Sequence, residues 1–128
     1  ALTTREFSFL MKKKMIDFAC KKFDLEEVVK CSLGLSKSEF RLLKFLIEHD
    51  RQFTTEELAK ELKLDKSTIQ RSVKNLHGKN LVIRGQINQS VGGYIFLYRI
   101  KEKNKIRKMV SDTIDNWAKV FQDKIKKW

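Results

Sequence analysis

The stretch from Leu33 to Arg84 reads LGLSKSEFRLLKFLIEHDRQFTTEELAKELKLDKSTIQRSVKNLHGKNLVIR, and its punctuation decides the fold. Ser36-Lys37-Ser38-Glu39 is a capping box, in which the Ser36 hydroxyl accepts from an orphan amide of the first turn and Glu39 reaches back. Behind it Phe40, Leu43, Leu46 and Ile47 recur at helical spacing as far as His49. Asp50-Arg51-Gln52 is a connector, and Phe53 is a short strand or an anchor before the next cap. Thr54-Thr55-Glu56-Glu57 is a second capping box, opening a short helix with Leu58, Ala59 and Leu62 as its apolar residues. After a turn containing Leu64, Asp65 caps a helix from Lys66 to about Lys79 that buries Ile69, Val73 and Leu76. Two short helices joined by a tight turn, the second preceded by a cap, form the helix-turn-helix layout.

Downstream the period becomes strand-like. Leu81 to Arg84 and Tyr94 to Ile100 are rich in β-branched and aromatic residues, and the polar run between them, Gln86 to Gly93, ends in Gly92-Gly93. A β-hairpin directly after a helix-turn-helix is a wing, here residues 82–100. The last helix, from Glu102 to near the terminus, carries the stripe Ile106, Val110, Ile114, Trp117, Phe121, Ile125 and Trp128. Its spacing averages about 3.6 residues per step, the period of a straight helix. Its 27 residues span roughly 40 Å at ~1.5 Å each, more than a domain of this size can cover. The stripe is therefore expected to meet a partner subunit, because it otherwise exposes an apolar patch. Folding back on its own domain is the other reading.

Upstream, Phe7, Met11, Met15, Phe18 and Phe23 predict one helix from Thr4 to about Phe23, with Lys12-Lys13-Lys14 on its solvated face. Asp24 then caps a short helix to about Lys30, and Gly34 separates it from the next element. The chain opens with Ala1; Met11 is an alternative start, so whether residues 1–10 are native stays open. Three parts follow: N-terminal helices in 1–32 for scaffold or dimer contacts, a winged helix-turn-helix in 33–101, and a C-terminal dimerisation helix in 102–128. The expected fold class is mostly α with a small β-hairpin.

The 128 residues suffice for one domain. Lys plus Arg number 28 against 16 Asp plus Glu, a net charge of +12, which makes a polyanion the leading partner. The excess is +3 in residues 1–53, +5 in 54–101 and +4 in 102–128, so it is most lopsided where the helix-turn-helix lies. With 2 Cys the chain is no disulfide scaffold. No apolar run approaches the ~18 residues of a membrane span, and a signal-peptide pattern is missing. A soluble, cytoplasmic protein is expected.

Catalytic readings find little to stand on. His49 and His77 each fall at a predicted helix end, where a cationic side chain suits the dipole. Neither has a Cys or carboxylate at metal-ligand spacing, and no phosphate loop or nucleophile motif is present. Asp112 and Asp115 read as a solvated face. No enzyme, cofactor or metal is expected. Cys20 and Cys31 read as small buried hydrophobes, with a redox-sensing pair as the sharper alternative.

The pieces Leu-Gly-Leu-Ser at 33–36, Thr-Thr-Glu-Glu-Leu-Ala at 54–59, Leu-Asp-Lys-Ser-Thr-Ile-Gln-Arg at 64–71 and Lys-Asn-Leu-Val at 79–82 resemble the winged helix-turn-helix of archaeal and bacterial MarR and TrmB type transcription regulators. In plan the chain is similar to archaeal Lrs14-like regulators, which have a long C-terminal dimer helix. The resemblance covers about 70 residues. It implies a DNA-binding regulator that dimerises through its terminal helices, with an effector pocket between those helices and the winged domain. No small-molecule effector is named by the sequence.

The chemistry of the second helix stands beside that resemblance. Lys66 to Lys79 holds Lys66, Arg71, Lys74 and Lys79 and no acid. With Ile69, Val73 and Leu76 inward, the outer face presents Ser67, Thr68, Gln70, Arg71 and Lys74. Arg reads guanine, Gln reads adenine, and Ser or Thr either, with the Thr methyl against thymine. Lys66 and the free amides at the helix start suit phosphate. Arg84 and Arg99 sit near the base of the wing, in reach of backbone or minor groove, whereas the tip carries no positive charge. The expected function is sequence-specific binding of double-stranded DNA by a homodimer on a roughly palindromic operator. A winged-helix module for protein–protein contact in a transcription or chromatin assembly is the alternative.

Overall fold

The computed structural model describes residues 15–128. Its elements are β1 (Met15–Phe18), β2 (Lys21–Asp24), α1 (Leu25–Leu33), α2 (Lys37–Glu48), α3 (Thr55–Leu62), α4 (Lys66–Gly78), β3 (Val82–Asn88), β4 (Tyr94–Ile100) and α5 (Lys103–Lys126). The mostly α class with a wing is what the sequence announces; a second hairpin, β1–β2, is not.

Both capping boxes close as their residues dictate. Glu39 N–H donates to Ser36 Oγ at 3.2 Å while Ser36 N–H donates to Glu39 Oε1 at 2.9 Å. Glu57 N–H donates to Thr54 Oγ1 at 3.1 Å and Thr54 N–H to Glu57 Oε1 at 3.2 Å. The helices so started bury one face each. Leu42, Leu43 and Leu46 of α2, Leu58 of α3, and Ile69, Val73 and Leu76 of α4 form the centre of the core with Leu81. Phe53 completes it: its backbone exchanges two hydrogen bonds with Tyr98, 2.9 and 2.8 Å, so residue 53 pairs briefly with β4. That bridge pins the base of the wing to the core.

The long α5 has two unlike halves. Ile106 is buried in the chain's own core, Met109 and Val110 are half-buried against that core, and this helix contacts α1, whose Leu25, Val29 and Leu33 belong to the same cluster. From Ile114 onward the stripe is bare: Ile114, Trp117, Phe121, Ile125 and Trp128 are all exposed. The seven-residue stripe read from the sequence therefore divides, with Ile106 and Val110 serving the subunit itself.

Two expectations are corrected. The helix expected over Thr4 to Phe23 is a hairpin in its described portion, and residues 1–14, with the Lys12–Lys14 run and Met11, lie outside the described residues. Phe18 and Phe23 are five residues apart, which puts them about 140° apart on a helix. In the hairpin Ile16 faces Phe23 across the strands, and the rings of Phe18 and Phe23 meet edge-on at 6.1 Å. Ala19, at φ 48°, turns the chain. The cysteines are not buried either. Cys20 sits at that turn and Cys31 on α1, both free and exposed.

Candidate nucleic-acid interface

The helix-turn-helix is α3, a turn at Lys63 to Asp65, and α4. Lys63 takes the left-handed conformation (φ 54°) that ends α3, and Asp65 starts α4 at once. The Asp65 carboxylate accepts from the Thr68 amide at 3.2 Å, from the Thr68 hydroxyl at 2.6 Å, and from the Ser67 hydroxyl. The Ser67 hydroxyl, then the Thr68 hydroxyl and amide, hold the Asp65 carboxyl down at about 2, so it is ionised at any physiological pH. This arrangement changes what the start of α4 offers. One amide and both hydroxyl protons are committed to an internal anion, leaving the amides of Lys66 and Ser67 and the hydroxyl lone pairs. Lys66 is exposed, 3.5 Å from Glu56 of α3.

One turn further, Gln70, Arg71 and Lys74 are exposed, and no side chain of the three makes a hydrogen bond or ion pair with another described residue. Beneath them Ile69, Ser72, Val73 and Leu76 are buried. The helix thus offers an amide, a guanidinium and an ammonium outward on a rigid base. Lys79 does not belong to that face. It caps the helix, and its ammonium donates to the carbonyl of Leu33 at 3.1 Å and to that of Gly34. Asn75 is likewise turned to the body, its amide donating to Glu39 Oε2 at 2.6 Å.

The wing register separates the two arginines that sequence reasoning grouped together. Arg84 pairs with Tyr98 and Ile83 with Arg99, so Arg84 and Arg99 point to opposite faces. Arg84 lies over the Phe96 ring at 4.4 Å, and Phe96 touches Tyr94 at 5.0 Å. Arg99 instead donates to Asp50 at 3.2 Å. It lines a cleft of about 400 Å³ with Ile83, Lys101, Glu102 and Arg107. At the tip, Gln89 N–H donates to the Gly93 carbonyl at 3.0 Å, and Gly92 and Gly93 both adopt positive φ, a turn that favours glycine. The tip is uncharged, and Val91 stands out from it fully exposed.

The other singled-out residues have local roles. His49 ends α2 with Nδ1 3.0 Å from the Phe45 carbonyl, and His77 lies in the last turn of α4. Asp112 pairs with Lys108 one turn away at 2.9 Å. Among the described residues no three metal-ligating side chains converge, and no helix is long and apolar enough to cross a membrane.

Known proteins share this fold. Residues 33–88 match the MarR family model. The structure of a "possible transcriptional regulator" from Methanosarcina mazei Go1 superposes with a TM-score of 0.85 at 44% identity, over 90% of this chain and 97% of that one. A protein from Sulfolobus tokodaii shares the fold at 24% identity and a TM-score of 0.64, over 74% of this chain and 92% of that one. An uncharacterized protein of Methanocaldococcus jannaschii is 28% identical over 91% of this chain and 92% of its own length. The chain is a winged-helix regulator of the MarR type, its residues 33–88 matching that family and its length that of a possible transcriptional regulator.

Proposed function

We propose that the protein is a homodimeric regulator that recognises a roughly palindromic double-stranded operator by laying α4 in the major groove. The observation that carries this reading is the outward trio Gln70, Arg71 and Lys74, mounted on a buried apolar face and unengaged by any described residue. Arg71 suits bidentate pairing with guanine and Gln70 with adenine, each worth about 1–3 kcal/mol of discrimination. Lys74 and Lys66 neutralise phosphates. Ser67 and Thr68 act as acceptors, since their protons are held by Asp65, and the Thr68 methyl remains available to thymine. On the wing Arg84, braced by Phe96, addresses the flanking backbone, while Arg99 is tied back to Asp50 on the other face and makes no phosphate contact.

The bare half of α5 supplies the dimer contact. Residues 108–118 carry a net charge of −1 and residues 119–128 a net +3. Antiparallel pairing of two copies sets unlike charges together and brings Ile114 opposite Ile125 and Trp117 opposite Phe121, around an axis near Lys119. Two α4 helices then meet successive major grooves roughly 34 Å apart.

A second reading, a winged-helix module that docks on protein, draws on the exposed Ile87, Val91, Tyr94 and Ile95 of the wing. One experiment separates the two. Duplexes are selected from a random pool, then tested by gel shift against bulk DNA over a salt series, with sedimentation of the free protein. The DNA reading expects a dimer, a preferred duplex and affinity falling steeply with salt. Equal, weak binding to all duplexes would overturn it in favour of the docking module.

A further inference from the structure

The C-terminal end of α4 is held by two polar contacts to a single stretch, residues 33–39. Asn75 donates to Glu39, and Lys79 donates to the carbonyls of Leu33 and Gly34. These two side chains are one helical turn apart on the same face. Gly34 is where α1 stops, in the left-handed conformation at φ 65°. Unpaired carbonyls concentrate at such an end, and a cation is favoured there. Glu39 is 8% exposed and uses its other oxygen on the Ser36 amide. Burial works to raise its pKa, but the hydrogen bonds from Ser36 and Asn75 and the nearby Lys79 charge outweigh it and hold the carboxyl below its ordinary value. The anchor is therefore ionised at neutral pH, which keeps it a strong acceptor for Asn75.

What this anchor is attached to matters more than its strength. The stretch 33–39 takes in the last residue of α1, the elbow at 34–36 and the first turn of α2, and α5 packs on α1, with Leu25 and Val29 of α1 and Ile106, Met109 and Val110 of α5 in one apolar cluster. Contacts therefore run without a break from α5 through α1 to the end of the groove-reading helix. Among the described residues the other end of α4 has no comparable polar tie to α1 or α2. Asp65 caps it from within, and the exposed Lys66–Glu56 pair reaches only α3.

We infer that Lys79 and Asn75 are positioning residues that fix the angle of α4 relative to α1 and α5, and so couple the dimer arm to base reading. This rests on the DNA reading of α4. Neither residue needs to touch DNA. Their effect is to let a shift of α5 on α1 change the pitch of Gln70, Arg71 and Lys74 together.

The test compares Lys79→Met, which keeps the aliphatic stem and drops the charge, with Lys79→Arg, which keeps the charge. Spin labels on Lys74→Cys and Ser111→Cys, in a Cys20→Ser, Cys31→Ser background diluted with unlabelled chain, report the distance between α4 and α5 within one subunit. The parent and Lys79→Arg should give one narrow distance, and Lys79→Met a broad or shifted one; an unchanged distribution in Lys79→Met overturns the coupling. On DNA, Lys79→Met should lower the ratio of selected-duplex to bulk-DNA affinity about tenfold, a loss the size of one mismatched base pair. Equal loss on both duplexes would mean that Lys79 acts only through its charge and would also overturn the inference. A parent protein that ignores duplex DNA while the spin-label result holds would instead sink the reading of α4 and leave the coupling in place.

Discussion

Arg84 and Arg99 lie on opposite faces of the wing, two residues from either strand that the hairpin register drives apart. Arg84 rests on Phe96 in the ladder that leads to Tyr94, whereas Arg99 is paired with Asp50 across the other face. Their equal charge conceals unequal roles. Arg84→Ala should reduce the steepness of the salt dependence by about one phosphate contact. Arg99→Ala should leave that slope unchanged. Titrations of a single duplex at several salt concentrations measure both, and identical slopes for the two variants would refute the assignment of faces to roles.

On α4 the exposed residues should divide by what they touch. Arg71→Ala is expected to relax sequence preference at one position by about 1–3 kcal/mol. Lys66→Ala is expected to weaken binding to every duplex by the same factor, since a phosphate contact carries no base information. Binding assays on the selected duplex and its single-base variants distinguish the two outcomes.

Asp65 both starts α4 and places a negative charge at the end that the proposed binding mode sets toward the groove. Replacing it with Asn keeps a good N-cap residue and removes the charge. Asp65→Asn should therefore bind DNA more tightly than the parent at equal salt, while melting somewhat lower at neutral pH, where the ionised carboxylate supports the fold. The pH dependence follows from the Asp65 carboxyl standing at about 2 in the folded chain against an ordinary 3.8. The unfolded chain binds the extra proton between those values, so stability falls as the solution is acidified. The Asp65 contribution is complete above the ordinary value and vanishes as pH drops through about 2. Urea midpoints measured from pH 5 to pH 2 should thus decline less in Asp65→Asn than in the parent.

The bare face of α5 gives a fourth expectation. Trp117→Asp or Phe121→Asp should yield a monomer by sedimentation whose circular dichroism still shows the folded winged domain, because neither residue belongs to the core. Operator affinity should fall far more than affinity for bulk DNA. A variant that remains dimeric would show that another surface joins the subunits.

Much of this molecule is written in local signals. The residues at Ser36, Thr54 and Asp65 each cap a helix because a short side-chain acceptor next to free amides needs no tertiary help. The inward placement of Ile69, Val73 and Leu76 follows from spacing alone. The β1–β2 hairpin was not legible, because a five-residue step between Phe18 and Phe23 passes for a loose helical stripe until the Ala19 turn sets the strands against each other. Arg84 and Arg99 were indistinguishable for a related reason: which face each occupies depends on the length of the loop between the strands, and the polar tip left that length open. Lys79 reads as one more cation on a basic helix, and only the approach of α1 from 45 residues away shows that its charge is spent on Gly34. The Ser67 and Thr68 hydroxyls, read as contacts to base edges, have their protons claimed by Asp65, which caps the helix.

Beyond Ile114 the last helix has no neighbour among the described residues of its own subunit, so its backbone hydrogen bonds are held against bulk water. Amide hydrogen exchange should be graded along it, slow around Ile106 and rapid toward Trp128 in dilute solution, with the far half slowing as concentration rises. On the dimer reading supply then becomes a control variable: how much of this chain a cell makes would set what fraction of it is ordered enough to work.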